Sequence, residues 1–195
     1  MSSTSLDWED ILEVKKSHRI LGIIVQDDLK WQLQCEEMVK RATSTTWALR
    51  RMRALGVPEA TLVEYWKTEG RVMLEYGCPV WHSGLTSAQS HSLDRAQRAA
   101  MAAITGRWEP SHTRQLADLD LEQLSARRTR LCQTFAQRTA TNSRHMDMFT
   151  PVISARRQGK YQEIFARTGT YFRSALPYLT RLLNQLKPAY AWTMA

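Results

Sequence analysis

A helical repeat of apolar residues, beginning at Leu33, constrains the fold of this chain more than any other feature of its sequence. The apolar positions recur at steps of three and four, which places them on one face of an α-helix. Gly56 follows the last of them, and glycine commonly ends helices because it adopts the left-handed conformation of the C-terminal cap. The pattern predicts a long first helix whose buried residues are Cys35, Met38, Ala42, Thr45, Leu49 and Met52.

The same spacing, together with end signals, predicts a second and a third helix. Pro58 suits the first turn of the second helix, which is expected to end at Gly77. Thr86 and Gln89 have the spacing of a capping box, so the third helix is expected to begin there and run to Gly106. The predicted buried residues are Leu62, Trp66, Met73 and Tyr76 in the second helix, and Leu93, Ala96, Ala100, Met101 and Ile104 in the third.

The last third of the chain is predicted to contain one long helix, a connector and one short helix. The break RWEPSH interrupts the helical repeat, which resumes over 121–140. From about Thr139 to Thr170 the chain is polar, rich in arginine and weakly periodic, which indicates a loose connector. The stretch SALPYLTRLLNQL then predicts a short amphipathic helix. In the long helix the predicted buried residues are Leu121, Leu124, Leu131 and Phe135.

Strand signals are confined to HRILGIIVQDDLKW, near the start of the chain. Its β-branched residues, the turn-forming pair Asp27-Asp28 and the alternation of Leu29 and Trp31 predict a short hairpin. The predicted fold is therefore mainly α, a helical bundle preceded by a short N-terminal β-hairpin. Its expected segments are a leader and hairpin at 1–32, a helical domain at 33–138, and a basic connector with a short C-terminal helix at 139–195.

Charge and the absence of membrane signals limit the classes of partner. The formal net charge is +8 and the isoelectric point is about 9.7, which favours a polyanionic partner, nucleic acid before anionic membrane. No stretch of eighteen apolar residues and no signal peptide is evident, so we expect an intracellular protein, nuclear or cytoplasmic, without a membrane span. The three cysteines form no Cys-x-x-Cys pair, which suits reduced thiols.

Two groups of residues could in principle form a metal or catalytic site, but a structural role explains both of them better. Cys78 and His82 are four residues apart, but no second ligand pair accompanies them, and Trp81 and Cys78 are typical core residues at a helix end. Asp27 and Asp28 resemble a metal-binding turn, yet two-metal chemistry needs a further carboxylate, normally from a separate earlier strand. The carboxylates upstream lie in a short polar leader without strand signals: Asp7, Glu9, Asp10 and Glu13. Nucleotide-binding loops and hydrolase motifs are missing as well. The sequence therefore predicts no catalytic residues, no metal and no cofactor.

Basic residues on the first and third predicted helices are the remaining functional candidates. They lie away from the apolar stripes, where cationic side chains can follow a phosphate backbone without reading base sequence. An ordinary solvated helix face explains the same pattern, so both interpretations stay open. The candidate nucleic-acid-binding residues are Lys40, Arg41, Arg50, Arg51, Arg53, Arg95 and Arg98.

Three stretches in succession resemble a known family. They are RILGIIVQDDLKW, MVKRATSTTWALRRMRALGV and LVEYWKTEGRVMLEYGCPVWHSGLTSAQSHSLDRAQRAAMAAITG. In order and spacing they resemble the C-terminal part of a non-LTR, LINE-type retrotransposon reverse transcriptase. The resemblance runs from about Val14 to Phe149, and RTGTYFRSALPYLTRLLNQL is similar to the usual ending of the family.

The resemblance implies a role for each part of the chain. Leu21 and Gly22 would belong to a hairpin that follows the catalytic palm, with Asp27 in its turn. The helices from Leu33 to Gly106 would form the thumb, which grips the template-primer duplex, and the connection beyond it. Fingers, palm and the catalytic aspartates are missing from this chain. The residues at the family's helix-end motif would only pack helices together: Cys78, Pro79, Trp81 and Gly84.

Two functional hypotheses follow from different classes. In the first, the protein is a non-catalytic remnant of the reverse transcriptase that binds RNA, DNA or an RNA–DNA hybrid through phosphate contacts. In the second, it is a retroelement-derived helical domain that binds proteins, or an unselected reading frame, with no nucleic-acid role. Clustered basic side chains favour the first hypothesis, whereas exposed apolar surface favours the second. An active polymerase or repair enzyme would need carboxylates or metal ligands that the sequence does not assemble.

Overall fold

The computed structural model describes residues 15–153 and 161–186, which form a mainly helical protein that starts with a two-stranded hairpin. The predicted fold class is therefore confirmed. The leader residues 1–14, part of the connector at 154–160 and the end at 187–195 lie outside the described residues, and so do the carboxylates Asp7, Glu9, Asp10 and Glu13.

The hairpin pairs strand β1 (Ser17–Ile20) with strand β2 (Ile23–Gln26) in antiparallel register. Its turn is Leu21-Gly22, with φ angles of 47° and 84°, and not the predicted Asp27-Asp28. A two-residue turn that matches the twist of the strands needs two positive φ angles, which Gly22 adopts freely. The aspartates instead follow β2, where Asp28 Oδ1 accepts a hydrogen bond from the Lys30 backbone N–H at 2.9 Å.

We predict that Leu21→Asn stabilises the protein by up to about 1 kcal/mol, because asparagine tolerates the left-handed conformation better than leucine. Leu21 is 86% exposed, so the substitution removes little packing. Urea denaturation followed by circular dichroism measures the change in unfolding free energy. Leu21→Ala is the matched control, since it removes the same exposed side chain without the preference for positive φ. An Asn variant no more stable than the Ala variant would contradict this account.

The two longest helices before residue 110 lie side by side and run parallel. They are α1 (Gln32–Ala54) and α5 (Ser87–Thr105). At their N-terminal ends the side-chain amide of Gln89 donates to Gln32 at 3.4 Å. At their C-terminal ends the guanidinium of Arg53 lies against Gly106, whose φ angle of 74° favours glycine. The predicted capping box at Thr86 and the predicted buried stripe of α5 are present.

The second helix is continuous but contains a π-helical turn. It consists of α2 (Glu59–Tyr65), the π turn Trp66–Gly70 and α3 (Arg71–Met73). The wider turn advances the buried face by one residue, so Leu74 is buried, whereas Met73 is half-buried and Tyr76 is exposed. The prediction of Met73 and Tyr76 as core residues was therefore wrong. A Cβ at Gly70 would collide with the Trp66 ring, which explains the glycine in this turn.

Short helices and turns join the second helix to α5 and α5 to the C-terminal part. Gly77 adopts a left-handed conformation and is followed by α4 (Cys78–Trp81) and a 3-10 turn at His82–Gly84. After α5 comes α6 (His112–Asp118), a short helix that the apolar repeat did not predict. In α7 (Leu124–Thr141) the buried face repeats every four residues, and Phe135 is exposed, contrary to prediction. That face consists of Leu124, Arg128, Cys132 and Ala136.

The C-terminal part packs onto the same core as the rest of the chain. It includes a 3-10 turn at Met146–Met148, α8 (Gly169–Phe172) and α9 (Ala175–Gln185), the predicted amphipathic helix. Within the predicted loose connector, Phe149 is buried, and the backbone N–H of Tyr161 donates to Asn184 Oδ1 at 2.8 Å. One hydrophobic cluster contains residues from all three predicted segments, from Ile23 in β2 to Leu183 in α9.

Candidate nucleic-acid interface

Within the segment from Cys78 to His82, the side chains of Cys78 and Trp81 lie in the core and serve packing. The Trp81 side chain is 0% exposed, and its Nε1 donates to the Tyr76 carbonyl at 3.0 Å. Cys78 is also buried, and the hydrogen bond between the two thiols lowers the pKa of Cys78, whereas that bond and burial raise the pKa of Cys132. A raised pKa keeps a thiol protonated and poorly nucleophilic. Within the described ranges, no three His, Cys, Asp or Glu side chains are placed to hold a metal ion.

Arg128 is a structural residue that the sequence analysis did not single out. Its side chain is 0% exposed, and its guanidinium lies over the Trp81 ring, 5.9 Å from the centroid. Its Nε donates to His82 Nδ1 and its Nη2 to Ser90 Oγ, both at 3.3 Å. Burial lowers the pKa of Arg128. The only sequence signal for this role is its position on α7, four residues after Leu124 and four before Cys132.

The outer face of α1 presents cations without carboxylate partners. Lys40, Arg50 and Arg51 are exposed, and none of them forms an ion pair with a residue that the structure describes. Lys40 and Arg51 are eleven residues apart and thus on the same side of the helix, about 16 Å apart along its axis at about 1.5 Å per residue. The stretch from Lys40 to Pro58 contains no aspartate or glutamate. The C-terminal half of this face therefore has a positive potential that no acid on α1 offsets, whereas Glu36 lies one helical turn before Lys40.

Trp47 lies on this same face. It is seven residues after Lys40 and four before Arg51, and its side chain is 62% exposed. The Arg50 guanidinium lies over its ring, 5.4 Å from the centroid, within the range of a cation–π contact. The predicted site did not include Trp47, although its position between basic residues at helical spacing was a usable signal. We call the four residues Lys40, Trp47, Arg50 and Arg51 the α1 face.

The other predicted cations differ in what they contact. Arg41 pairs with Glu37 at 2.9 Å, and Glu37 also lies 3.5 Å from Arg19. This shared ion pair lowers the pKa of Glu37 and offsets part of the charge of Arg41. Arg95 is exposed on α5 and has no ion-pair partner in the described part of the chain. Arg95 is therefore available for a phosphate, whereas Arg41 is partly engaged.

Arg98 is held by contacts within the protein, whereas Arg53 is exposed and forms no side-chain hydrogen bond or ion pair with a described residue. Arg53 lies against Gly106, at the end of α5, where helix carbonyls carry partial negative charge. Arg98 Nη2 donates to the carbonyls of Glu109 and Pro110, each at 3.2 Å. Its guanidinium also lies 4.6 Å from the centroid of the Trp108 ring. Arg98 therefore stabilises a loop end and is poorly placed to reach a ligand, whereas the Arg53 guanidinium stays exposed beside the end of α5.

A second surface feature is apolar and lies around the hairpin turn. The Tyr76 hydroxyl donates to the Leu21 carbonyl at 2.9 Å, which holds the turn against the end of the second helix. Large apolar side chains around this contact remain exposed. We call this group the hairpin patch: Ile20, Leu21, Val72, Tyr76 and Val80.

In comparisons with known proteins, no family model, no curated protein and no solved structure matches this chain. The resemblance to LINE-type reverse transcriptases thus stays a prediction from the residues alone. In the described ranges, no helix combines the length and the apolar character needed to cross a bilayer.

Proposed function

We propose that this protein is a non-catalytic, thumb-like domain derived from a LINE-type reverse transcriptase, and that it binds RNA, DNA or an RNA–DNA hybrid through phosphate contacts. The α1 face is the observation that carries the proposal. Lys40, Arg50 and Arg51 are exposed cations on a 23-residue helix, in a stretch without acidic residues. Arg95 on the neighbouring helix α5 adds a fourth available cation.

Phosphate binding by such a face needs no precise pocket. Each cation that neutralises a phosphate releases a condensed counterion into solution, and this release supplies affinity without sequence preference. Exposed lysine and arginine side chains can adjust their positions to the phosphate backbone of either RNA or DNA. The proposal therefore predicts affinity that falls steeply with salt and varies little with base sequence.

The proposal includes no catalysis. Asp28 is ionised, since its hydrogen bond from the Lys30 backbone N–H lowers its pKa, but that bond also commits the carboxylate to a local turn. Asp27 Oδ1 accepts from the Asp28 backbone N–H at 2.8 Å. Both carboxylates thus serve the turn between β2 and α1. Nucleotidyl transfer with two metal ions requires carboxylates that converge on one point.

A salt titration tests the proposal. For duplex DNA, the slope of log affinity against log salt is about −0.9 per phosphate contact, so Arg50→Ala/Arg51→Ala should flatten the slope by about 1.8. Fluorescence anisotropy with a labelled duplex, and with an RNA–DNA hybrid of the same length, measures the affinity at several salt concentrations. Circular dichroism first confirms that each variant is folded.

The matched control removes two exposed arginines from another part of the protein. Arg138→Ala/Arg144→Ala lowers the net charge equally, but both residues lie at or beyond the end of α7. We expect this control to keep nearly the slope of the parent protein. If the two double variants behave alike, net charge alone controls binding and the α1 face is only a solvated surface.

Protein binding is the second candidate function, and the hairpin patch favours it. Exposed apolar side chains that lie together commonly mark an interaction surface. Leu21 is 86% exposed and has a positive φ angle. The exposed apolar side chain and the strained backbone each lower the stability of the protein, and the side chain adds nothing to the core. A salt titration that shows no binding, together with self-association that the hairpin patch mediates, would favour this candidate over the first.

A further inference from the structure

Trp47 occupies a position that packing does not explain. Among the five tryptophans that the structure describes, Trp31, Trp66 and Trp81 are buried, and Trp47 and Trp108 are each 62% exposed. A large aromatic side chain left in water forgoes the free energy that burial would supply. A contact with a ligand would recover part of that free energy.

The two exposed tryptophans differ in their surroundings. Trp108 lies under Arg98, whose guanidinium is fixed by two backbone carbonyls, so ring and cation form a closed local cluster. Trp47 contacts Arg50, which has no other hydrogen-bond or ion-pair partner among the described residues. Lys40 and Arg51 flank the Trp47 ring along the same side of the helix. Trp47 thus combines an accessible ring with cations that are not otherwise engaged.

We propose that Trp47, with Arg50 beside it, is a stacking platform for an unpaired nucleobase, and that the preferred ligand of the α1 face is single-stranded RNA or DNA. The proposal rests on the phosphate binding proposed above and adds the substrate class. Every base has a π-face that stacks on an aromatic ring, and the guanidinium of arginine adds cation–π attraction. Lys40 and Arg51 then meet the phosphates on either side of the stacked base.

The positive charge of the α1 face favours a nucleic acid over a protein as its ligand. The positive face around Trp47 has no acid between Lys40 and Pro58, so a strand with one negative charge per nucleotide complements it along its length. A duplex has the same phosphates, but its bases are stacked inside the helix and reach the ring only after unstacking. The geometry therefore favours a single strand over a duplex of equal charge.

Three labelled probes of equal length separate stacking from phosphate binding. They are a single-stranded oligothymidine, an abasic strand with the same phosphates but no bases, and a duplex. A fourth probe, oligouridine, is the RNA counterpart of oligothymidine. Affinities of all variants are measured by fluorescence anisotropy at one low salt concentration, and the affinity of the parent for the abasic strand is also measured at several higher ones. Trp47→Leu removes the ring but keeps apolar bulk and helix propensity, and Trp47→Tyr restores an aromatic face. Trp108→Leu is the matched control at an equally exposed tryptophan.

We expect Trp47→Leu to weaken oligothymidine binding by about 5-fold to about 150-fold, the range that alanine substitution gives for one stacked base. Its affinity for the abasic strand and the duplex should match that of the parent protein. Trp47→Tyr should recover most of the loss, and Trp108→Leu should bind all probes like the parent. Oligouridine should behave like oligothymidine, because stacking makes no use of the 2′-hydroxyl.

The outcomes that overturn the inference differ from those that overturn the proposed function. If the parent protein binds the abasic strand with steep salt dependence, but Trp47→Leu binds oligothymidine as tightly as the parent, stacking is refuted and phosphate binding stands. An equal loss of affinity for oligothymidine, the abasic strand and the duplex also refutes stacking. In that case Trp47 would support the structure of the α1 face and would not contact a base. If the parent binds none of the probes, the proposed function fails and this inference fails with it.

Discussion

Trp81→Ala is expected to lower the free energy of unfolding by about 3–5 kcal/mol, the usual loss when a large aromatic core residue is truncated. The ring is fully buried, and the Arg128 guanidinium lies over it at 5.9 Å. Truncation leaves a cavity beside a buried charge. It also removes the Nε1 donor from the Tyr76 carbonyl. Urea denaturation at neutral pH measures the loss.

Two other substitutions calibrate this result. Trp47→Ala removes the same side chain from an exposed site, so its effect on stability should stay within about 0.5 kcal/mol. Cys78→Ala empties a smaller buried volume and should cost less than Trp81→Ala. A Trp81→Ala protein as stable as the parent would show that the segment from Cys78 to His82 does not serve packing, and a functional role for it would return.

Acid is expected to destabilise the protein through His82. Burial, together with repulsion from Arg128, lowers the pKa of His82 to about 4. In the unfolded chain the pKa of histidine is about 6.5, so between these values the unfolded state binds a proton that the folded state does not. Stability therefore rises with pH in this window. The stabilisation that unprotonated His82 contributes is fully present above about pH 6.5 and is lost as the pH falls towards 4.

The expected loss over this window is about 2–3 kcal/mol, at about 1.4 kcal/mol per pKa unit and reduced for the partial solvent contact of His82. Denaturation curves for the parent and for His82→Gln, recorded from pH 7 to pH 4, measure it. The glutamine keeps an oxygen that can accept from Arg128 but does not titrate. Because the carboxylates contribute alike to both proteins, the difference between the two curves isolates His82. Parallel curves would mean that His82 is readily protonated in the folded state.

The sequence predicts well those parts of the fold that depend only on local patterns. The stripe from Leu93 to Ile104 and the capping box at Thr86 need only helical spacing and one side-chain bond, and both are confirmed. The errors arise where a distant contact or an irregular turn decides. The π turn before Leu74 shifts the buried face by one residue, and no apolar repeat encodes that shift.

Buried polar side chains are a second feature of the fold that the sequence alone does not predict. The apolar repeat does not identify Arg128 as buried, because its partners His82 and Ser90 lie in other elements that a linear repeat does not bring together. The same limit applies to the basic residues. Arg98 is engaged because the loop at 109–110 folds back onto it, whereas Arg51 has no such neighbour. Sequence identified the cations, and only tertiary contacts separate those that are available from those that are held.

The parallel arrangement of α1 and α5 has a consequence for how the chain folds. Gln32 and Gln89 meet although 57 residues separate them in sequence, so the largest helix contact closes a long loop. Closure of such a loop costs chain entropy before any packing compensates it, and contacts of this kind slow folding. During synthesis, the apolar side of α1 has to wait for the end of α5 at Thr105 before it is fully covered. The largest helix contact of this domain therefore forms only after more than half of the chain has been synthesised.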